Sequence, residues 1–398
     1  MNILFIPSWY PRDAGDIYGS FFREQAIALV RAGHRVIVLD ASFTLWKRMF
    51  ASGFWRIERR TDEGLEIFAR QIPSFGFAKM PRLGTFLYRH NLRRLYRKLE
   101  KTISPLALNL VHAHSYFPAG IAACGLGKKL HLPVVITEHR GTVLHDNLRP
   151  GYTDMLTACV KQAAAFVCVS GALRGQVAKI TGTKKDLYVI PNMVSGLFYP
   201  DKYEAGGAGD AFRFFSVGGL TETKRFALLI RAFAACFAGD PGVTLEIGGV
   251  GPLKQSLEEL IKTLGMRQQI KLLGKLPREA VADKMRRCDA FVLLSAHETF
   301  GIVYAEALAC GKPVIAARNG GANEIVLSEN GLLVDVDDIH QAEEALKSMR
   351  RREKNYDSAA IAAHSFALYS EEAVSARLTA LYNAVRQGAS QKSKADGE

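Results

Sequence analysis

Long apolar runs are missing from this 398-residue chain. None reaches the roughly 18 consecutive apolar residues of a membrane-spanning helix, so no such helix is expected. A basic leader is missing too. The opening MNILFIPSWYPRDAG is apolar at once and reads as a first buried strand, not as a signal peptide. Cysteine is sparse. Cys124, Cys159, Cys168, Cys236, Cys288 and Cys310 form no CxxC pair, and most stand in Ala-rich or Val-rich runs. A zinc site is therefore not expected, and buried thiols in a reducing cytosol are. GxGxxG is absent, no repeat recurs at solenoid spacing, and no nucleic-acid motif accompanies the positive charge.

What is present points to two domains. The chain is too long for one ordinary core, and 48% hydrophobic residues suffice for two. The net charge of +13 is uneven. Residues 1–195 hold 27 Lys and Arg against 13 Asp and Glu, and the remainder holds 25 against 26. The basic excess lies wholly in the first half, which implies an anionic partner there.

Short apolar runs alternate with helical periodicity throughout. Strands are expected at 2–6, 35–39, 66–70, 109–112, 133–137, 165–169 and 187–190. In the second half they are expected at 212–217, 243–247, 269–273, 290–294, 313–317 and 331–334. Helices between them include 20–32, 153–163, 224–238, 252–264, 278–287, 302–310 and 339–350. This alternation implies α/β architecture, with parallel sheets in doubly wound domains. The spacing divides the chain into a first domain, 1–194, a linker, 195–211, and a second domain, 212–365. The linker's Gly-rich stretch begins at Asp201. A C-terminal helix, 366–386, is expected to return to the first domain, with a disordered tail at 387–398. Two such domains leave a cleft between the C-terminal edges of their sheets, where ligands bind.

The segment AFVLLSAHETFGIVYAEALACGKPVIAA, 290–317, is the most informative. A buried strand ends at Ser295, and a helix begins at Phe300-Gly301-Ile302. Free N–H groups at 300–302 form a site for an anion. Glu298 stands beside it, able to accept hydrogen bonds from sugar hydroxyls, and Glu306 two turns on is placed to reach a diol such as a ribose. Taken alone, these glutamates are more often a helix cap and a solvated helix residue. Their flanks decide otherwise. The pattern S-x-x-E-x-F-G…E-A-x-A-x-G-x-P-V-I resembles the retaining glycosyltransferases of family 4 (glycosyl transferases group 1), which have the GT-B fold of two Rossmann-like domains. PSWYP with Gly19 and GHRVIVL, HAHSYFPAG, VVITEH, VIPNMV, SVGGLTETKRFALLIRAF, LEIGGVGPL, IKLLGKLP and NGGANEIVLSENGLLV follow in that family's order. After VIPNMV the usual Asp is Ser195.

The resemblance implies a C-terminal domain that binds a nucleotide diphosphate-sugar and an N-terminal domain that binds the acceptor. A metal-free enzyme neutralises the leaving diphosphate with cations and backbone amides. The family uses a Lys, here Lys224, and an Arg five residues earlier, here Gly219. Arg225 stands where the family usually has Gly, and Arg225 or a residue of the first domain is a candidate substitute for the missing Arg. Lys275 and Leu276 of IKLLGKLP join the donor-binding set. Gly19, with Gly15 before it in the first strand-to-helix turn, is expected to let backbone approach the diphosphate across the cleft. By the resemblance His139 sits near the reacting sugar. A structural role is expected for His112, and His114 stays open.

No metal or other cofactor is expected. Asp335-Val336-Asp337-Asp338 contains DxD, a metal signature of another glycosyltransferase fold, but it directly precedes a helix, and Asp337 or Asp338 is better read as its cap. Residues 79–101 gather Lys79, Arg82, Arg89, Arg93, Arg94, Arg97, Lys98 and Lys101 against Glu100, with an apolar stripe of Leu92, Leu95, Tyr96 and Leu99. Either the stripe packs on the sheet and the charges are solvated, or the helix docks on an anionic membrane surface. The expected function is retaining, metal-independent sugar transfer to a glycan or lipid-linked acceptor, by a cytoplasmic protein peripheral on the inner face of the membrane. A sugar-nucleotide epimerase of the same fold and a non-catalytic sugar-nucleotide-binding protein are the alternatives.

Overall fold

The computed structural model describes all residues except 13–15, 17–18, 46–55, 75–79, 104, 146–147, 150, 201–210, 352–354 and 396–398. Gly15, Lys79 and the Gly-rich centre of the expected linker therefore lie outside the described residues. The chain forms two compact units, Met1–Pro191 with Val374–Glu398, and Asn192–Ala373.

The first unit carries β1 (Asn2–Pro7), β2 (Arg35–Asp40), β3 (Phe43–Leu45), β4 (Glu58–Asp62), β5 (Leu65–Ala69), β6 (Ile72–Ser74), β7 (Leu110–His114), β8 (Val134–Glu138), β9 (Ala165–Cys168) and β10 (Leu187–Val189). Its helices are α1 (Ser20–Arg31), α2 (Pro81–Thr102), α3 (Ile121–Leu130), α4 (Gly141–Leu144), α5 (Tyr152–Gln162) and α6 (Gly171–Thr181). The main sheet has the order β10-β9-β8-β7-β1-β2-β5-β4, and β3 pairs with β6 apart from it. Winding reverses between β1 and β7. Strands such as Val134–Glu138 are buried along their whole length, as a sheet covered on both faces requires.

The expected all-parallel sheet needs one correction. β4 runs antiparallel to β5, joined by a two-residue turn at Glu63-Gly64 with Asp62 facing Leu65. Both turn residues have positive φ, 45° and 85°, which matches the twist of a tight hairpin. The charged sequence ERRTD suits an edge strand, where side chains face water.

The second unit carries β11 (Phe212–Val217), β12 (Val243–Gly248), β13 (Ile270–Gly274), β14 (Ala290–Leu293), β15 (Val314–Ala317) and β16 (Gly331–Val334). Its parallel sheet has the order β13-β12-β11-β14-β15-β16. Helices α7 (Phe226–Phe237), α8 (Lys254–Thr263), α9 (Arg278–Arg287), α10 (Ile302–Ala309), α11 (Ala322–Ile325), α12 (Ile339–Arg351) and α13 (Ser358–Tyr369) connect and follow the strands.

At the C-terminus the single helix expected over 366–386 is two. The second of them, α14 (Glu371–Ala395), is separated from α13 by Ser370. The expected disordered tail is helical through Ala395. Ala, Gln and Lys extend at little cost a helix that is already nucleated. The part of α14 from Val374 on belongs to the first unit. There the buried Tyr382 hydroxyl lies 2.7 Å from His112 Nδ1, and Thr379 Oγ1 lies 2.8 Å from His34 Nε2.

Candidate functional site

In the second unit the winding reverses between β11 and β14. The crevice past the C-terminal ends of these two strands is where doubly wound sheets hold ligands. Two loops meet there. Ala296 N–H donates to Thr223 O at 2.8 Å, and the Ser295 hydroxyl donates to the same oxygen at 3.2 Å. This stitching brings Lys224 Nζ to 2.5 Å from Glu298 Oε1, with both side chains partly open to solvent.

Glu298 is held from its other side too. Its N–H donates to Asn319 O at 3.3 Å, and its carbonyl accepts from Gly321 N–H at 2.9 Å. The Asn319 amide donates to Ser295 O at 2.8 Å and lies 3.3 Å from the Tyr304 hydroxyl, which donates to Leu293 O at 3.0 Å. Burial, and then the charge of Glu298, push the Tyr304 phenol well above its ordinary range, so it stays a neutral donor. Asn319 and Tyr304 were not foreseen as site residues, although the Asn-Gly-Gly turn signal at 319–321 was readable.

Phe300, Gly301 and Ile302 form the corner into α10. Phe300 is buried, and its ring packs edge-on 5.5 Å from Tyr369. Gly301 caps the helix at φ 88°, and a Cβ there would lie 2.4 Å from the Tyr304 ring. The first amides of α10 have no partner within the helix and make an anion site beside Glu298.

Glu306 departs from the expectation of an open carboxylate awaiting a diol. It is fully buried, and Oε1 accepts from the Arg278 guanidinium at 2.6 Å. That guanidinium also lies 4.8 Å over the Phe198 ring. The cause is α10 itself, IVYAEALA, which is apolar all round and buried from Tyr304 to Ala309.

Lys224 does not open a helix as expected. It ends a short 3-10 turn, Glu222–Lys224, and Arg225 follows at φ 55° before α7 begins. The position occupied by Gly in the resembling family is thus left-handed here, which costs an L-residue about 1–2 kcal/mol. Arg225 is not poised as a second cation. Nε and Nη2 grip Asp337 at 2.6 and 2.9 Å. The rest of the DxD segment has its own partners. Asp335 accepts from Arg318 and Gln341, and Asp338 caps α12 by accepting from Gln341 N–H at 2.9 Å. Gly219 faces open space, with no atom closer than 3.9 Å to a Cβ built on it. Lys275 is exposed and Leu276 half-buried, at the end of β13, where Leu276 packs against Gly248.

The first unit assembles a second cluster at the ends of β7 and β8 and the start of α1. Gly19 caps α1 at φ 87°, and a Cβ there would lie 2.9 Å from the Trp9 ring. His139, nearly buried, lies against Phe21 and Phe22, and its Nε2 is 3.1 Å from His114 Nδ1. His114, left open by the sequence, is thus drawn into the cluster. His112 stacks behind it and contacts Thr137 Oγ1 at 2.8 Å. Burial, and then the neighbouring imidazoles, hold His114 well below its ordinary pKa; burial and His139 push His112 down to about 3. Glu138 is a buried backbone anchor that accepts N–H bonds from Tyr116, His139 and Arg140. All six cysteines are free thiols, and only Cys236 is incompletely buried.

Comparison with known proteins matches both units. Residues 19–195 fit the family model described as Glycosyltransferase Family 4, and residues 202–365 fit that described as Glycosyl transferases group 1. An uncharacterized glycosyltransferase of Methanocaldococcus jannaschii is 28% identical over 280 residues, covering 69% of this chain and 75% of that protein. The lipopolysaccharide core biosynthesis glycosyltransferase LpsD of Rhizobium meliloti is 28% identical over 271 residues, covering 67% and 70%. Among solved structures, Anabaena HepE in complex with UDP and glucose has a TM-score of 0.70 at 20% identity, covering 96% of this chain and 100% of that one.

Proposed function

The chain belongs to the GT-B glycosyltransferases, and on that premise we propose that it transfers a sugar, with retention and without a metal, from a nucleotide diphosphate-sugar to a glycan or lipid-linked acceptor. One observation carries this reading. Lys224 and Glu298 meet at the point where the second unit's winding reverses, beside the amides that open α10. A diphosphate there meets Lys224 Nζ and the helix N-terminus, and both gain strength as negative charge grows on the leaving group. Glu298 is the acceptor for the donor sugar's hydroxyls.

Retention without an enzyme nucleophile needs same-face displacement. The anomeric carbon–oxygen bond to phosphate breaks and the bond to the acceptor oxygen forms on the same face. The acceptor proton passes to the departing phosphate oxygen. By the resemblance His139 is assigned to the reacting sugar and acceptor, and Gly19 is read as letting backbone approach the diphosphate. LpsD acts in lipopolysaccharide core biosynthesis and HepE is crystallised with UDP, which supports a cell-surface glycan or glycolipid product and makes UDP the first nucleotide to test.

The test is product analysis by proton NMR in the presence of a chelator. Product bearing the donor's anomeric configuration, formed at an undiminished rate, is the expected result. An inverted product, or activity lost in chelator and restored by magnesium or manganese, contradicts it.

A further inference from the structure

We propose that the outward face of α2 is a docking surface for an anionic lipid bilayer, entered by Leu83 and Phe86 and held by the basic residues that follow them. The surface is not the one the sequence suggested. Leu92, Leu95, Tyr96 and Leu99 are buried in the first unit with Tyr88, so that stripe is consumed by the core. The opposite face is exposed. Leu83, Phe86, His90, Arg93, Arg94, Arg97 and Lys101 recur at intervals of three and four and so lie along one side of the helix. The helix has 22 residues, a length of about 33 Å.

The distribution along this face is polarised. Its first turns are apolar. Met80 is 47%, Leu83 43% and Phe86 65% exposed, a cluster within seven residues of a kind that soluble surfaces usually cover. Its later turns are cationic. Arg89, Arg93, Arg94, Arg97, Lys98 and Lys101, with Arg82 back in the first turn, stand against one acid, Glu100. None of the seven is ion-paired with an acidic side chain among the described residues.

A bilayer interface fits both halves. Apolar side chains enter below the headgroups, and arginine and lysine reach lipid phosphates from long apolar stems. A nucleic-acid duplex would satisfy the charges but would leave Phe86 and Leu83 in water, and this decides between the two polyanions. No helix among the described residues is long and apolar enough to cross a membrane, so attachment through α2 is peripheral and reversible. The proposal stands on the surface of α2 alone, and its failure would leave the sugar-transfer reading untouched.

The experiment is co-sedimentation of the full chain with vesicles of phosphatidylcholine, alone or mixed with phosphatidylglycerol. Binding is expected only to the mixed vesicles and should weaken as salt rises. Each engaged basic residue contributes about fivefold to partition, so replacing Arg93, Arg94 and Arg97 together by Gln should lower it about a hundredfold. Leu83→Ser with Phe86→Ser should lower it about tenfold or more while thermal unfolding stays unchanged, since both side chains are exposed. Failure of the wild type to bind anionic vesicles, or equal binding by the Leu83 and Phe86 variant, would overturn the proposal. So would tighter binding to duplex DNA that ignores Leu83 and Phe86.

Discussion

Lys224 Nζ and Glu298 Oε1 lie 2.5 Å apart, although 74 positions separate them in the chain. Each follows one of the two strands between which the sheet changes direction, so the fold itself delivers one cation and one carboxylate to the same corner. Their side chains stay partly exposed, and the pair contributes little to stability compared with what a diphosphate and a sugar would draw from it.

Glu298→Gln should lower kcat by about a hundredfold, because an amide cannot replace a charged acceptor as charge shifts in the transition state. Its thermal unfolding should move by only a few degrees, about 1 kcal/mol in a chain this long. Steady-state kinetics beside calorimetry checks this. A near-wild-type rate would remove Glu298 from the site.

Glu306 belongs to a different class. Its buried carboxylate is paired with Arg278, so removing either partner strands a charge. Glu306→Leu or Arg278→Ala should cost about 2–4 kcal/mol, the lower end reflecting the partial exposure of Arg278. Urea unfolding reads this directly. Unchanged midpoints with weakened donor binding would instead restore the reading of Glu306 as an open ligand to the nucleotide.

Gly219→Arg should fold normally, because the position is open and needs no left-handed backbone. A second cation beside Lys224 should tighten binding of a nucleoside diphosphate about tenfold. Arg225→Gly should leave that binding unchanged, since the guanidinium is committed to Asp337. Titration calorimetry distinguishes the two. A loss of affinity in Arg225→Gly would make Arg225 the substitute cation after all.

Much of this was legible in the sequence, for identifiable reasons. Buried parallel strands are short apolar runs between turn signals, so the expected strand 212–217 and helix 278–287 coincide with Phe212–Val217 and Arg278–Arg287. β4 was hidden because ERRTD carries four charges in five residues and looks like a loop, although Asp-Glu-Gly marked its hairpin. The period of α2 revealed a helix but not which side would be taken by the core. The burial and ion pair of Glu306 were hidden because its partner Arg278 comes from another helix, α9. The start of α7 was placed two residues early because the left-handed residue before it is an arginine, which gives no punctuation in the sequence.

Acid should loosen the first unit through its buried imidazoles. His112 and His114 bind protons less readily folded than unfolded. Their contribution to stability is complete above about pH 6.5 and falls as pH drops toward 3, by up to about 1.4 kcal/mol per pH unit for each. Asp40 and Glu138 are raised by burial and act in the opposite sense, so the wild type alone does not isolate the effect. The comparison is wild type against His112→Gln between pH 7 and 5, which should lose stability less steeply. All three tryptophans of the sequence precede residue 192, and Trp9 packs against Phe21 and Phe22 in the first unit, so tryptophan fluorescence follows that unit selectively. Identical slopes would show that His112 does not titrate as its burial requires.

The central claim is that the corner holding Lys224 and Glu298 binds the donor's diphosphate. The most direct measurement is the thermal shift produced by UDP, GDP and ADP on the wild type and on Lys224→Ala. The account predicts that at least one nucleotide raises the wild-type midpoint. It also predicts that the shift disappears in Lys224→Ala, whose midpoint without nucleotide stays close to that of the wild type. An equal shift in both proteins would contradict it, placing the diphosphate somewhere other than the corner between β11 and β14.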